Sequence, residues 1–182
     1  MATLDATIGG LKSNSYVTVA AADEHAGSRL QSQSWEDADD DLKTKALLTA
    51  VRRIDLLNFT GWRFNWEQAL RWPRYGILDR DGWWIKDNTI PKDILIAQIE
   101  LSIAYLDYQQ FRDSEVSPVS NLAAFSDAKV GQIELTIRRD PAKASHAEGR
   151  IASWRLAEEK IVEEYLQPYL EQSLHGISLV RG

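Results

Sequence analysis

Cysteine is absent from this chain of 182 residues, and histidine is scarce, with only three residues. The lack of cysteine excludes a disulfide framework and every cysteine-ligated zinc or iron–sulfur site. A basic excess is lacking too, because 21 lysines and arginines face 27 aspartates and glutamates, which gives a formal charge of -6. This acidic balance disfavours a general electrostatic attraction to nucleic-acid phosphates.

Long apolar runs are missing from the sequence as well. The most apolar stretch, 94–106, is interrupted by Gln98, Glu100 and Ser102, and it is shorter than the roughly 20 residues that span a bilayer. The first residues lack the basic region followed by an apolar region that marks a secretory signal. We therefore expect a soluble protein that is made in a cytoplasm. Its 44% hydrophobic content and seven tryptophans predict a folded chain.

Signatures of catalytic sites are absent from the sequence. It has no P-loop, no G-x-G-x-x-G motif and no G-x-S-x-G motif, and His25, His146 and His175 lie far apart. The glutamate pairs 158–159 and 163–164 fit the exposed face of a helix better than an acid–base dyad, which needs an apolar setting to separate its pKa values. We therefore predict no enzyme activity, no metal site and no cofactor.

Hydrophobic spacing predicts one mainly α-helical domain over residues 1–182. Four helices are expected, at about 19–30, 39–58, 91–112 and 150–167. The third is apolar around most of its circumference, which predicts either the central helix of the fold or a helix that contacts a second subunit. The alternation of Ile133, Leu135 and Ile137 predicts a small β element, a strand or a hairpin, near 129–138.

A long, irregular, aromatic-rich connection over residues 59–90 holds five of the seven tryptophans, namely Trp62, Trp66, Trp72, Trp83 and Trp84. Bases stack on aromatic rings and arginine neutralises phosphate, so Trp62, Trp66, Trp72 and Arg74 form one candidate site for single-stranded DNA. The other interpretation is that these tryptophans fill a core that has little phenylalanine and methionine. We favour it because four acidic residues in the segment cancel its positive charge. The connection is then expected to be a packed hub or an interface.

A series of short motifs in a fixed order runs along nearly the whole chain. They are Asn14–Thr18, Lys45–Leu47, Ile54–Asp55, Gly61, Gln68-Ala69-Leu70-Arg71-Trp72-Pro73-Arg74, Ile90-Pro91 and Leu166–Leu170. This order resembles the head–tail connector, or adaptor, proteins of tailed phages. Some members of that family carry the label DnaT-like single-stranded DNA-binding protein. The most specific part of the resemblance is the block 68–74, and its residues, together with Gly61 and Pro91, are the family signature.

The resemblance implies a structural protein of the virion with no chemistry of its own. Such adaptors assemble as a ring, commonly a dodecamer, between the portal protein and the tail or its terminator or nozzle proteins. DNA passes through the ring without specific binding. Twelve copies at -6 each would carry about -72, a charge that repels DNA from the wall of a channel. The alternative function is that of a single-stranded DNA-binding or replication-accessory protein.

Two segments are expected to make the contacts of the ring. In such adaptors the C-terminal segment commonly reaches into the portal, and here that segment is an extended tail at 174–182. Its portal-binding residues would be Leu174, Ile177, Leu179, Val180 and Arg181. The loop 76–90 is larger than the family pattern, so its Trp83 and Trp84 are expected to contact the tail or a neighbouring subunit.

Overall fold

The structure is a computed structural model that describes residues 3–115 and 160–171 of the chain. The α-helices of this part are α1 Val19–Gly27, α2 Gln33–Glu36, α3 Asp40–Asp55 and α4 Lys92–Glu115. A π-helical turn, Val162–Leu166, and a 3-10 turn, Gln167–Tyr169, lie in the second described range. Two short strands, β1 Trp62–Arg63 and β2 Arg74–Tyr75, form an antiparallel sheet. The prediction of a mainly α fold with a small β element is confirmed.

The position of the β element differs from the prediction. The predicted site near 129–138 and most of the predicted helix 150–167 lie outside the described residues. The observed sheet instead lies in the connection 59–90, where Trp62 pairs with Tyr75. The predicted loop around Trp35 is wrong in part, because the amides of Trp35 and Glu36 both donate to the Ser32 carbonyl and form the short helix α2.

The helix starts follow from local capping chemistry. The Thr18 hydroxyl accepts a hydrogen bond from the Ala21 amide at 3.2 Å and so satisfies one of the free N–H groups at the start of α1. The Asp39 carboxylate does the same for the Leu42 amide at 2.7 Å. The next residues, 40–41, are both aspartates in the first turn of α3, where negative charge is favoured by the helix dipole. The aspartate run is therefore a helix start, as predicted.

Helix α4 lies at the centre of the described part of the chain. It contacts α1, α2, α3 and the π-helical turn, and it supplies residues to both hydrophobic clusters of the core. The first cluster contains Ile94, Ala97 and Leu101, and the second contains Ile99, Ile103 and Leu106. Because partners cover several of its sides, α4 has a narrow polar face, and the prediction of a central helix is confirmed. No helix within 3–115 or 160–171 is long and apolar enough to cross a membrane.

A buried glutamine fastens α4 to its neighbours. Gln98 Oε1 accepts from the Tyr16 amide at 2.9 Å, and Nε2 donates to the Ser15 hydroxyl at 2.8 Å and to the Leu47 carbonyl at 3.1 Å. One side chain thus joins α4 to α3 and to the segment before α1. A fully buried amide is tolerated because its oxygen and nitrogen both have partners.

Candidate functional site

Trp72 lies in the core. Its side chain is 1% exposed and packs edge-on against Phe59 and Tyr169, with ring centroids 5.5 and 5.7 Å away. Tyr169 belongs to the second described range, so Trp72 connects two distant parts of the chain. The core interpretation is confirmed for this tryptophan. Its place in a DNA-stacking site is wrong, because neither face of the ring is open to a base.

Arg74 is also buried, and backbone carbonyls occupy its guanidinium group. Nε donates to the Thr60 oxygen at 2.7 Å, and Nη2 donates to the oxygens of Phe59 and Gly61 at 3.0 and 2.7 Å. Burial lowers the pKa of Arg74, and the positive charge of Arg71 lowers it further. The predicted role of Arg74 in neutralising a phosphate is therefore wrong. The side chain holds the backbone that leads into β1.

Gln68 and its neighbours complete the same framework. Gln68 Oε1 accepts from the Asn65 amide at 2.9 Å, and Nε2 donates to the carbonyls of Leu70 and Pro73 at 2.8 and 3.0 Å. Pro91 is buried at the start of α4, where its carbonyl accepts the first bond of the helix. The signature residues of the resemblance thus shape the connection 59–90 from within.

Gly61 allows the two strands to approach. Its φ is +68°, a left-handed conformation that residues with a side chain rarely adopt. A Cβ atom at this position would overlap the Tyr75 carbonyl oxygen and would lie 2.6 Å from Cδ1 of Ile77. Only glycine therefore fits where the chain enters β1.

The other four tryptophans of the connection are exposed. Trp62, Trp66, Trp83 and Trp84 are 65, 83, 74 and 73% accessible to solvent. The core interpretation is wrong for these four, because the core cluster around Trp72 is filled by residues from α3, α4 and the second described range. Exposed tryptophans at this density are typical of a surface that binds a partner.

Four aromatic residues on and beside the sheet form what we name the hairpin surface: Trp62, Phe64, Trp66 and Tyr75. Trp62 and Tyr75 are opposite each other in the register and stack, with ring centroids 5.5 Å apart and planes 26° from parallel. Phe64 is 48% exposed, and its amide donates to the Pro73 carbonyl at 3.1 Å. The buried framework beneath thus fixes the backbone that presents the rings.

The sequence segment that carries the hairpin surface has a positive net charge. Residues 59–76 contain three arginines, Arg63, Arg71 and Arg74, against one acid, Glu67, whereas residues 77–90 contain two bases and three acids. Arg63 is exposed beside Trp62, and Arg71 is half-buried. The net charge of the whole connection is therefore small because the positive residues of 59–76 are summed with the negative residues of 77–90.

The second exposed pair, Trp83 and Trp84, lies on a loop that we name the tryptophan loop, residues 78–84. Its ends meet where Leu78 pairs with Trp84, and the Asp79 carboxylate accepts from the Trp83 amide at 2.8 Å. Arg80 anchors the loop, because its Nε lies 3.0 Å from the Asp93 carboxylate on α4. The tryptophan loop is a defined turn that is separate from the sheet.

A buried tyrosine–aspartate pair supports the block 68–74 from α3. The Tyr16 hydroxyl donates to Asp55 Oδ1, and the Arg71 amide donates to Oδ2 at 3.2 Å. Arg71 Nε also donates to the Asp55 carbonyl at 3.2 Å. Burial raises the pKa of Asp55 and, together with the Asp55 charge, raises that of Tyr16. The Tyr16 hydroxyl and the Asp55 carboxylate bond to each other and to the backbone of the block 68–74, so we assign this pair a structural role.

The described residues hold no cluster of three or more histidine, aspartate or glutamate side chains that could bind a metal. His25 pairs with the Glu100 carboxylate at 2.9 Å, while His146 and His175 lie outside the described residues. Residues 163–164 are exposed, as expected for the outer face of a helix. The glutamates 158–159 lie outside the described part of the chain, as do the tail residues Leu174, Ile177, Leu179, Val180 and Arg181.

Sequence reasoning missed Phe64 and Tyr75. The signal for Phe64 is its spacing from Trp62, because residues two apart on an extended strand point to the same face. On the partner strand β2, the buried Arg74 is followed by the exposed Tyr75, so the side chains alternate between the core and the solvent. The cue was thus present at two short strands, but each strand has only two residues, and Phe64 lies just after the first, so no usual strand pattern forms.

Comparison with known proteins identifies one family. The family model described as "Putative DnaT-like ssDNA binding protein" matches residues 3–182. No curated protein and no solved structure matches the chain. Since the family model covers nearly the whole sequence, the chain belongs to the DnaT-like family.

Proposed function

We propose that this protein binds single-stranded DNA through the hairpin surface. The observation that carries the proposal is the exposed stack of Trp62 on Tyr75. Phe64 and Trp66, two and four residues after Trp62, are exposed as well. Unpaired bases stack on such rings, and each stacked base contributes about 1–3 kcal/mol. The description of the family names the same ligand.

The electrostatic part of this binding is small. Arg63 and Arg71 are the cations that can approach a strand on the hairpin surface, because Arg74 is buried among carbonyls. Each neutralised phosphate lowers the slope of log K against log salt by about 0.7. Two phosphate contacts, one from each arginine, predict a slope of log K against log salt between about -1 and -1.5. The affinity then depends mainly on stacking and falls only modestly as salt rises.

Titration of a labelled oligothymidine by fluorescence anisotropy tests this proposal. The full chain is compared with Trp62→Ala and with Trp83→Ala, a matched control because both tryptophans are mostly exposed and lie in different parts of the connection. Loss of one stacked base predicts about a tenfold weaker binding for Trp62→Ala. Trp83→Ala is expected to bind like the original chain. No binding at low salt, or an equal loss in both variants, would contradict the proposal.

A second candidate function is that of a structural adaptor at the head–tail junction of a tailed phage, as the resemblance implies. The observation that favours it is the tryptophan loop. Its exposed Trp83 and Trp84 stand beside Asp79 and Asp81, carboxylates that repel DNA but suit a protein partner. In this function the chain forms a ring in the virion between portal and tail, and the segment 174–182 binds the portal.

Mass measurement and electron microscopy of the chain mixed with its portal protein test the adaptor function. Closed rings are expected, and the double change of Trp83 and Trp84 to alanine is expected to weaken their assembly. The matched double change of Trp62 and Trp66 should leave the rings intact. Deletion of residues 174–182 is expected to abolish portal binding and to preserve the fold. Free monomer alone in the presence of portal would exclude this function.

A further inference from the structure

Three polar side chains next to the hairpin surface that could read base edges are already engaged by the protein itself. Gln68, an amide of the kind that recognises adenine, makes three bonds to the backbone of its own loop. Arg74, a guanidinium of the kind that recognises guanine, is held by the carbonyls of residues 59–61. Thr60 donates its hydroxyl to the Tyr169 carbonyl at 3.2 Å. Gln68 and Arg74 cannot turn outward without leaving backbone carbonyls unpaired, whereas the Tyr169 carbonyl would keep its bond from the Thr60 amide.

Besides Arg71, whose Nε donates to the Asp55 carbonyl, two charged side chains remain beside the rings. Arg63 and Glu67 are exposed, and no hydrogen bond from residues 3–115 or 160–171 fixes either side chain. A long side chain that is not held must lose rotamer freedom to contact a base edge. Arg63 can approach phosphate as a diffuse charge, but neither side chain is positioned to distinguish one base from another.

From this arrangement, which rests on the proposed function, we infer that the hairpin surface binds unpaired strands without reading their sequence and accepts RNA as well as DNA. Every base has a π face that can stack on Trp62, Trp66 or Tyr75. Distinguishing RNA from DNA requires a donor or acceptor aimed at the 2′-hydroxyl, and among the described residues of this surface Gln68, Arg74 and Thr60 are engaged elsewhere. Paired strands are excluded, because in a duplex the faces of the bases are stacked on each other.

Competition anisotropy with the full chain tests this inference. The competitors are oligomers of about 10 nucleotides: oligo-dT, oligo-dC, oligo-dA, oligo-rU and a DNA duplex of the same length. We expect the four single strands to compete within about fivefold of one another, and the duplex to compete at least about tenfold more weakly. Trp62→Ala is expected to weaken all four single strands by the same factor.

The outcomes separate this inference from the proposed function. If no oligonucleotide binds at about 20 mM salt, where phosphate contacts are strongest, the proposed function fails. If the strands bind but one base is preferred by more than about tenfold, or if oligo-rU is rejected, the proposed function stands and the inference of sequence-independent binding is overturned. A duplex that competes as well as oligo-dT would also overturn it, because stacking on Trp62 would then not be the mode of binding.

Discussion

The change Arg74→Lys tests whether the buried guanidinium holds the connection 59–90 together. Arginine presents a planar fork of donors, and here the fork reaches the carbonyls of residues 59, 60 and 61 at 3.0, 2.7 and 2.7 Å. A lysine keeps the charge but has one nitrogen on a flexible stem, so it cannot reach all three oxygens at once. The variant should therefore leave two of these buried or half-buried carbonyls without their charged donor.

The expected loss of stability follows from these unpaired groups. An unsatisfied buried acceptor costs about 1–3 kcal/mol, so two of them lower the free energy of unfolding by about 3 kcal/mol. For a chain of this size that corresponds to a fall of about 6–12 °C in Tm. Urea denaturation followed by circular dichroism measures the change. The matched control is Arg63→Lys, since Arg63 is the neighbour of Arg74 in the next strand and is exposed.

Arg63→Lys is expected to change the free energy of unfolding by less than about 0.5 kcal/mol, as surface changes usually do. If Arg74→Lys were as harmless as its control, the assignment of Arg74 to the framework would be refuted. In that case Arg74 of the original chain would again be a candidate for contacting phosphate, a role that the burial of its side chain argues against.

Gln98→Leu should lower the free energy of unfolding by about 1–3 kcal/mol, since it leaves the buried Tyr16 amide unpaired, whereas the Leu47 carbonyl keeps its bond within α3. A loss below about 1 kcal/mol by urea denaturation would show that the network is dispensable. Asp55 gives a pH test, because its pKa is raised from 3.8, so its contribution to stability is present below 3.8 and is lost as pH rises through the folded-state value. Asp55→Asn removes this component. The stability difference between the original chain and Asp55→Asn should thus shift in favour of the variant as pH rises above 3.8, and a difference that does not change with pH would contradict the burial of that charge.

The helix starts could be predicted from local chemistry. Features that depend on contacts between distant parts of the chain could not. Thr18 and Asp39 cap helices through bonds to residues three positions later, so the sequence alone identifies them. The central position of α4 could also be predicted, because a helix that is apolar around most of its circumference must pack against several partners. Helix α2 was missed because its four residues are too few to show a helical period.

The division of the tryptophans could not be predicted from composition. Trp72 and Trp62 stand in the same connection with arginine beside each, yet one is buried and the other is 65% exposed. The difference arises because Tyr169, nearly a hundred positions away, covers Trp72, and no local pattern reports such a contact. The charge of the connection was misread for a different reason, since it was summed over all of 59–90, whereas its positive part, 59–76, and its negative part, 77–90, follow one another in the sequence.

The most direct test of the central claim follows the indole N–H signals of the seven tryptophans by heteronuclear NMR while oligothymidine is added. Changes of single tryptophans to phenylalanine assign the signals. Binding at the hairpin surface predicts that the signals of Trp62 and Trp66 shift and that those of the buried Trp35 and Trp72 do not. The account is contradicted if no indole signal moves at saturating oligonucleotide, or if only Trp83 and Trp84 respond.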